Sequence, residues 1–410
     1  MNLLIPKSTR IYCLVDCDSF YASCEVLRNP SLRGKAVCVG RANDIILASS
    51  YEAKAHGVKT GTAYRDAIKK LPDAIFIEPD FGRYCSISER LNQLLAWFTH
   101  SVEVFSIDET FADITWMAER YHMSYYDFAL NLKRKIMKEI GIPTSIWVGR
   151  SKTIAKLLSD INKPYGQCDG TDLTSLQHIY QAYWIANICY IGRSSEYKLQ
   201  PYCTTIQEFA NLDWRIVKKE LGVSWLKTWY EMNGYDLISF ANTNRPKSIT
   251  RSHSFHPYFL TDSAKVWIRI MSNFNPAYEE MLSHRLGCKY VKLRLRDKWF
   301  RSHSRSFVLN GPCDNKKQLL TVIKELFDEA MKAKVSRRTT GVVFGDLKEM
   351  QYEQWADLFS YEKSHKDLTI ANTILELNKK FGKEVMTTGA DILLKTHKVS
   401  KSDYQFDYEI

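Results

Sequence analysis

The sequence predicts an α+β fold, in which short strands alternate with longer amphipathic helices along 410 residues. Three observations point to this class. The apolar run Ile11–Asp16 is of strand type and leads into a helix, and Phe105–Ile114 has the pattern of a hairpin with a polar bend. In Lys289–Asp297, apolar and basic residues alternate with the period of two that a half-buried strand requires. A chain of this length exceeds one compact core, so we expect two to four domains.

The first 165 residues predict most of the regular elements. The first helix ends near Asn29, because Pro30 disfavours helical geometry in the residue before it. A later helix, Asp80–Phe98, carries apolar residues at the spacing of one helix face. The predicted strands are Ile11–Asp16, Ala36–Val39, Ile45–Ser49, Ile75–Ile77, Val102–Ser106, Phe111–Thr115 and Thr144–Val148. The predicted helices are Ser19–Leu27, Ala63–Leu71, Asp80–Phe98, Tyr125–Ile140 and Ser151–Ile161.

Composition narrows the class of protein. No apolar run approaches the roughly 18 residues of a membrane span, and the first ten residues lack the apolar core of a signal peptide. The ten cysteines form no CxxC pair and no metal-finger spacing, so we expect reduced thiols in a cytoplasmic protein.

The positive charge is confined to one segment. The net charge is +11, and between Arg245 and Met350 there are 21 Lys and Arg against 10 Asp and Glu, a difference of +11. The rest of the chain is balanced, with 36 residues of each sign. A local basic excess favours a polyanion such as nucleic acid as the partner of this segment.

Two adjacent carboxylates, Asp108 and Glu109, stand at the bend of the predicted hairpin. Such a pair repels itself, and the arrangement often persists where a divalent cation cancels the charge. The alternative is an ordinary solvated hairpin tip. A third carboxylate, Asp16, stands at the end of a buried strand and favours the metal interpretation.

Four motifs in order resemble those of the Y-family translesion DNA polymerases. They are Asp16–Glu25, Tyr51–Lys54, Gly57–Gly61 and Ser106–Glu109. The run Phe20–Glu25 is most similar to the bacterial branch that includes the catalytic subunit of DNA polymerase V.

The resemblance implies a right-hand polymerase whose palm is ferredoxin-like, since strand, long helix, hairpin, helix and strand follow in that order. The implied domains are a palm at 1–34 and 72–165, small fingers at 35–71, a helical thumb at 166–240, a C-terminal α/β little finger at 245–349, and a tail at 350–410. For the thumb, a degenerate helix-hairpin-helix around Gly192 and an ordinary helical connector both remain open.

The resemblance also implies a two-metal centre. Asp16, Asp108 and the backbone carbonyl of Cys17 would hold two Mg²⁺ ions, and Glu109 would join the catalytic one. Such ions activate the primer 3′-hydroxyl and neutralise charge on the triphosphate.

Further residues match the family's nucleotide site. Tyr51 and Lys54 would bind the triphosphate, with Lys152, or alternatively Arg150, as a third partner. Tyr21 would be the steric gate that excludes a ribose 2′-hydroxyl, and Phe20 beside it, also assigned to the nucleotide site, would pack into the palm or support Tyr21. From the residues alone, packing of both rings in the core is the alternative.

Residues Lys292, Arg294 and Arg296 form the basic face of the alternating strand, here called the basic stripe. The stripe is either a solvated sheet face or a contact with DNA phosphates, and the lack of compensating acids favours phosphate.

In the tail, Gln354, Leu358 and Phe359 resemble the peptide by which bacterial polymerases dock on a sliding clamp, although a piece of amphipathic helix is an equal alternative.

The expected function is a DNA-templated DNA polymerase that adds deoxynucleoside triphosphates to a primer-template during SOS-type damage tolerance, with the clamp and possibly an accessory subunit as partners. A catalytically inactive, clamp-bound adaptor is the alternative, but Asp16, Asp108 and Glu109 speak against it. A nucleotide cyclase with a similar palm would not need the basic segment.

Overall fold

The computed structural model describes residues 9–42, 44–159, 163–189, 191–238, 240, 245–255, 258–333, 335–350, 373, 376–377, 380 and 405–406. The chain divides into two compact units, Met1–Asn242 and Thr243–Ile410. Both combine helices with sheets, as the sequence predicts for an α+β fold.

The first unit contains eight of the strands and twelve of the α-helices in the described part of the chain. The strands are β1 (Tyr12–Cys17), β2 (Val37–Gly40), β3 (Ile46–Ser49), β4 (Ile75–Ile77), β5 (Val102–Val104), β6 (Glu109–Asp113), β7 (Thr144–Gly149) and β8 (Gln167–Gly170). The helices are α1 (Phe20–Arg28), α2 (Tyr51–Ala55), α3 (Tyr64–Lys70), α4 (Phe81–Ala96), α5 (Met117–Arg120), α6 (Tyr125–Glu139), α7 (Lys152–Leu158), α8 (Leu173–Ala182), α9 (Arg193–Leu199), α10 (Ile206–Asn211), α11 (Trp214–Leu221) and α12 (Val223–Met232).

The main sheet of this unit has the order β5-β6-β1-β7-β8, with β1 antiparallel to both of its neighbours. All six residues of β1 are buried. Cys13 and Val15 face a core that includes residues of α1, α4 and α6, whereas Leu14 faces a second core with α7 and the helices after β8. The central strand is therefore covered on both sides.

The predicted order of strand, long helix, hairpin, helix and strand is found over residues 75–149, but its first strand, β4, pairs with β2 and is not part of the main sheet. Strand β8 was not predicted, because its sequence Gln167–Gly170 lacks the apolar alternation of a strand; it pairs in parallel with β7. The helix expected at Ser151–Ile161 spans Lys152–Leu158.

A second, three-stranded sheet has the order β3-β2-β4. Its third strand, β4, pairs in parallel with β2, so that Ile75 lies opposite Val37. Strand β4 follows the expected palm boundary at residue 72 but pairs with a strand of the expected fingers segment, and the domain bounds stay a prediction. Phe76 packs in a core with Ala36 and the helix α3, whereas Ile75 and Ile77 pack against the core of the main sheet.

Helices α8–α12 occupy the expected thumb region. Gly192 caps the start of α9 with φ −90°, a conformation open to any residue. Gly192 therefore does not adopt the left-handed conformation that would require a glycine in a hairpin at this position. Glu231 in α12 is fully buried and accepts hydrogen bonds from the backbone and the hydroxyl of Thr153 at 3.0 and 2.6 Å. This carboxylate ties α7 to the helical region.

The second unit is a sheet backed by two helices. Its strands are β9 (Ser248–Ser254), β10 (Tyr258–Phe259), β11 (Leu286–Asp297), β12 (Arg305–Cys313), β13 (Arg337–Gly345), β14 (Lys348–Glu349) and β15 (Gln405–Phe406), and its helices are α13 (Ser263–Ser283) and α14 (Lys316–Met331). The main sheet runs β12-β11-β13-β9, with β14 paired to β11, while β10 pairs with β15. One apolar core joins both helices to one face of the sheet.

Within the described residues, no helix combines the length and apolar character needed to cross a bilayer. All ten cysteines lie in the described part of the chain, where no disulfide joins them, and seven of them are buried.

Candidate active site

Asp16 and Glu109 lie directly opposite each other in the pairing of β1 with β6. Because side chains alternate along a strand, both carboxylates point to the sheet face covered by α7. Asp108 precedes β6 in the hairpin bend, where its carbonyl accepts the backbone N–H of Cys17 at 2.9 Å. The fold thus gathers the three predicted carboxylates and the Cys17 backbone at one end of β1.

The carboxyl of Asp16 is 4% exposed. Burial raises its pKa to about 7, and the nearby Glu109 adds to this shift, while Lys163 opposes it. The carboxylates of Asp16 and Glu109 therefore repel each other at the end of β1. The hydroxyl of Ser106 donates to Asp108 and orients that carboxylate.

Lysine side chains neutralise two of the three carboxylates. Lys163 Nζ lies 2.7 Å from Asp16 Oδ2, and Lys156 forms an ion pair with Glu109. Sequence reasoning missed Lys163, because it lies 147 residues from Asp16 in the chain. As the side chains lie, no group of three His, Cys, Asp or Glu residues in the described regions is arranged to hold a metal ion.

Lys152, the predicted third partner of the triphosphate, has a different neighbour. Its Nζ lies 2.7 Å from Glu103 Oε2, and its side chain is 7% exposed. The Nε of Arg150, the alternative, donates to the carbonyl of Thr171 at 3.2 Å. Neither side chain is paired with the three carboxylates, so their contact with triphosphate remains an untested prediction.

Asp18 connects three parts of the site, although its side chain was not predicted to have a role. The hydroxyl of Ser145 donates to both of its carboxylate oxygens, at 2.9 and 3.1 Å. The backbone N–H of Tyr165 donates to Oδ2 at 2.9 Å, and the hydroxyl of Tyr51 donates to Oδ1 at 3.2 Å. Through Tyr165 the buried Asp18 holds the loop that carries Lys163.

Ser19, the next residue, adopts the left-handed conformation with φ 48°. Lys54 donates to its hydroxyl at 2.8 Å, and the ammonium of Lys54 lies 4.4 Å from the ring centre of Tyr51. Burial lowers the pKa of Lys54, and the charge of Lys163 lowers it further. Two ammonium groups and one phenol therefore converge beside Asp16 and Asp18, an arrangement suited to an anion.

The predicted gate residue, Tyr21, is part of an aromatic cluster. Its ring stacks on Tyr84 with centres 4.4 Å apart and meets Phe81 edge-on at 5.9 Å. Tyr84 was missed by the sequence reasoning; it is fully buried, and its hydroxyl donates to Glu25 at 2.7 Å. Phe20 is 3% exposed and packs in the core, as expected.

The basic stripe has the predicted alternation. Val291, Leu293 and Leu295 are fully buried, whereas Lys292 is partly exposed and Arg294 and Arg296 are exposed. The residues opposite the stripe on the neighbouring strands are Ser306, Val343, Gly341 and Thr339, none of which is acidic. The described residues offer these three cations no salt bridge. The peptide with Gln354, Leu358 and Phe359 lies outside the described residues.

Comparison with known proteins gives matches over most of the chain. The impB/mucB/samB family matches residues 15–160, and the C-terminal domain of the same family matches residues 246–356. DNA polymerase IV 1 of Halalkalibacterium halodurans is 30% identical over 417 residues, which cover 97% of this chain and 97% of that protein. DNA polymerase IV of Bacillus velezensis is 29% identical over 415 residues, with 97% of each chain covered.

Two solved structures share the fold. A Y-family DNA polymerase chimera of Dbh and Dpo4 matches with a TM-score of 0.69 at 22% identity, and it covers 83% of this chain and 100% of its own. The insertion ternary complex of Dbh DNA polymerase matches with a TM-score of 0.56 at 21% identity over the same shares. The predicted closeness to the polymerase V branch is not confirmed, since the relatives named above are DNA polymerases IV. This chain belongs to the Y-family of DNA polymerases.

Proposed function

We propose that this chain is a DNA-directed DNA polymerase that extends a primer opposite damaged template DNA by two-metal phosphoryl transfer. The main support is that Asp16, Asp108 and Glu109 lie together at the end of β1, a strand that is buried on both faces. A rigid strand is the support that a metal-dependent transfer requires, because the ions must be positioned to within a fraction of an ångström.

The donor set suits Mg²⁺. Asp16, Asp108, Glu109 and the carbonyl of Cys17 offer only oxygen atoms, which hard divalent cations prefer. Burial raises the pKa of Asp16, and Glu109 adds a repulsion that bound cations would relieve. These residues would hold two ions, which would activate the 3′-hydroxyl and stabilise charge on the phosphates when bound. Lys163 and Lys156 supply neutralising charge at Asp16 and Glu109.

Three side chains would bind the triphosphate. Tyr51 and Lys54 are the residues expected from the sequence, and we add Lys163 in place of Lys152. Lys163 shares its neighbourhood with Lys54, whereas Lys152 is buried against Glu103. An anion between Lys54 and Lys163 would relieve the repulsion that lowers the pKa of Lys54.

Tyr21 would lie beneath the incoming sugar. Burial raises the pKa of Tyr21, and the charge of Asp108 raises it further, which supports a position near the carboxylates. Because the ring of Tyr21 stacks on the buried ring of Tyr84, it would not move aside to admit a ribose 2′-hydroxyl.

The basic stripe of the second unit would contact DNA phosphates without reading sequence. The peptide containing Gln354, Leu358 and Phe359 would dock on a sliding clamp, and an accessory subunit remains a further partner in this proposal. The setting would be SOS-type tolerance of DNA damage in the bacterial cytoplasm.

Primer extension with Mg²⁺ tests the proposal. The purified chain should add one templated deoxynucleotide to a primer, and Asp108→Ala should not. If neither Mg²⁺ nor Mn²⁺ supports addition on any template while the protein is folded and binds DNA, the proposal fails. The inactive adaptor would then be favoured.

A further inference from the structure

The hairpin between β11 and β12 ends in four residues, Lys298, Trp299, Phe300 and Arg301, here called the aromatic tip. We propose that the aromatic tip binds unpaired bases of single-stranded DNA by stacking. The inference rests on the proposed function in taking DNA as the ligand, but it assigns the second unit a binding mode that differs from the phosphate contacts of the basic stripe.

The aromatic tip is held firmly by one buried carboxylate. Asp297 is 2% exposed, and its Oδ1 accepts the backbone N–H groups of Trp299 and Arg301, both at 2.9 Å. Its Oδ2 lies 3.1 Å from His303 Nε2. The backbone N–H of Asp297 also donates to the carbonyl of Arg301 at 3.1 Å, which closes the loop. The rings are therefore presented on a fixed turn.

The two rings are exposed despite this support. Trp299 is 58% exposed and Phe300 is 60% exposed. Large aromatic residues contribute most when their surface is covered, so two adjacent exposed rings on a rigid turn indicate a partner.

Phe300 also has a strained backbone, with φ 64°. A loop of this kind ordinarily has glycine or asparagine at such a position, because a bulky residue is unfavourable in the left-handed region. A side chain kept there against the local preference is more often selected for binding than for stability.

The charges around the rings identify the class of partner. Lys298 Nζ and the guanidinium carbon of Arg301 lie 4.8 and 5.5 Å from the ring centre of Trp299, and the guanidinium carbon of Arg338 lies 4.4 Å from that of Phe300. The segment 294–305 contains five Lys or Arg residues and a single acid, the buried Asp297. Cations among aromatic faces are the combination that binds single-stranded nucleic acid, since bases stack while phosphates meet the cations. An apolar protein partner would not need this charge.

The test measures DNA binding by the full chain without nucleotide or Mg²⁺, so that a failure of catalysis does not affect it. Two probes are compared, a blunt duplex and the same duplex with a 5′ single-stranded overhang. Trp299→Ala should weaken binding to the overhang DNA roughly tenfold or more and leave blunt-duplex binding within about twofold. Trp299→Phe should restore most of the affinity, and Trp97→Ala, which removes a Trp that is 88% exposed in the first unit, should have no effect.

Phe300→Asn separates binding from folding. Asparagine is tolerated in the left-handed region, so this variant should melt at the same temperature as the parent or higher. It should still bind the overhang DNA several-fold more weakly. The slope of log K against log salt should not change for Phe300→Asn or for Trp299→Ala, since a lost stack releases no counterion.

Three results would overturn the proposal. Unchanged affinity of Trp299→Ala and Phe300→Asn for the overhang would show that the rings do not touch DNA and would leave a protein partner as the explanation. Equal losses on blunt and overhang DNA would show a groove contact instead of stacking on unpaired bases. A changed salt slope would assign the effect to the neighbouring cations.

Discussion

The hydroxyl of Tyr51 donates to Oδ1 of Asp18 across 3.2 Å, and the same carboxylate accepts the backbone N–H of Tyr165 through Oδ2. One buried acid therefore fixes both the start of α2, which carries Tyr51 and Lys54, and the loop that carries Lys163. The three side chains proposed to bind the triphosphate depend on a residue that would not touch it.

Replacing Asp18 with Asn should raise the KM for deoxynucleotides about tenfold while primer-template affinity stays unchanged. Asparagine lacks the negative charge that the Tyr165 N–H and the Tyr51 hydroxyl now contact, and losing a hydrogen bond to a charged group costs roughly 1.5–3 kcal/mol. Steady-state kinetics with varied nucleotide measure the effect, and Asp73→Asn at an exposed site is the matched control.

A double-mutant cycle of Asp18→Asn with Tyr51→Phe makes this result specific. Coupled residues give a double variant that is less impaired than the product of the single effects predicts. Fully multiplicative effects on KM would show that Asp18 does not act through Tyr51. A lower melting temperature of Asp18→Asn would then assign its effect to stability.

Lys163→Ala should raise the KM for deoxynucleotides by tenfold or more, whereas Lys152→Ala should mainly lower the melting temperature. Lys163 lies on Asp16 with its side chain 32% exposed, so phosphate can reach it. Removing Lys152 would break its ion pair with Glu103, whose side chain is 16% exposed. If Lys152→Ala has the larger effect on KM, Lys152 binds the triphosphate, as expected from the sequence, and Lys163 does not.

Asp108→Ala and Glu109→Ala should each abolish nucleotide addition while primer-template binding stays within a few-fold. The carboxylates would hold ions, and the loss of an ion should cost several kcal/mol of barrier, with each 1.4 kcal/mol worth about tenfold in rate. Single-turnover extension and a binding titration measure the two quantities. Extension above about 1% of the parent rate in either variant would contradict the two-metal assignment.

Tyr21→Ala should admit ribonucleotides that the parent excludes, because the plate beneath the sugar would be gone. The ratio of kcat/KM for ribonucleotide and deoxynucleotide measures the change. Phe20→Ala is the comparison: Phe20 is 3% exposed, so its loss should lower stability by about 3–5 kcal/mol through a core cavity. Unchanged sugar discrimination in Tyr21→Ala would mean that another residue is the gate.

Replacing the three cations of the basic stripe with Ala should flatten the slope of log K against log salt by about 2.7 units, at roughly 0.9 per phosphate contact on duplex DNA. Affinity should fall alike on unrelated sequences, and single-nucleotide addition at saturating DNA should be nearly normal. Binding at several salt concentrations measures the slope. The matched control removes three exposed lysines around α14, namely Lys317, Lys324 and Lys332. Equal slopes of log K against log salt for the parent and the stripe variant would mean that the stripe is only a solvated sheet face.

Local patterns were sufficient to predict most of the palm. The apolar run Ile11–Asp16 predicted β1, and the acidic bend at Asp108 predicted a hairpin; the antiparallel pairing of β1 with β6 puts Asp16 opposite Glu109. The alternation in β11 likewise predicted which side chains are buried. In each case a short local pattern carries the information.

Contacts between distant residues could not be predicted in the same way. Lys163 and Asp16 are separated by 147 residues, and nothing in the local sequence of Lys163 distinguishes it from a lysine near the end of a helix. The strands β4 and β8 show the same limit, since the partner of a short strand is decided by the space left in a sheet. Lys152 was assigned by its position at the start of α7, but the direction of its side chain depends on Glu103 in another strand.

The central strand β1 is paired on both sides and buried along its whole length. A slip of a single residue would turn Asp16 toward the opposite face and put Val15 or Cys17 in its place. A molecule in which this strand is misregistered would therefore have no polymerase activity at all, instead of a lower rate. When stress or mutation lowers the activity of a preparation without touching the site, active-site titration should find fewer working molecules, each turning over at the full rate.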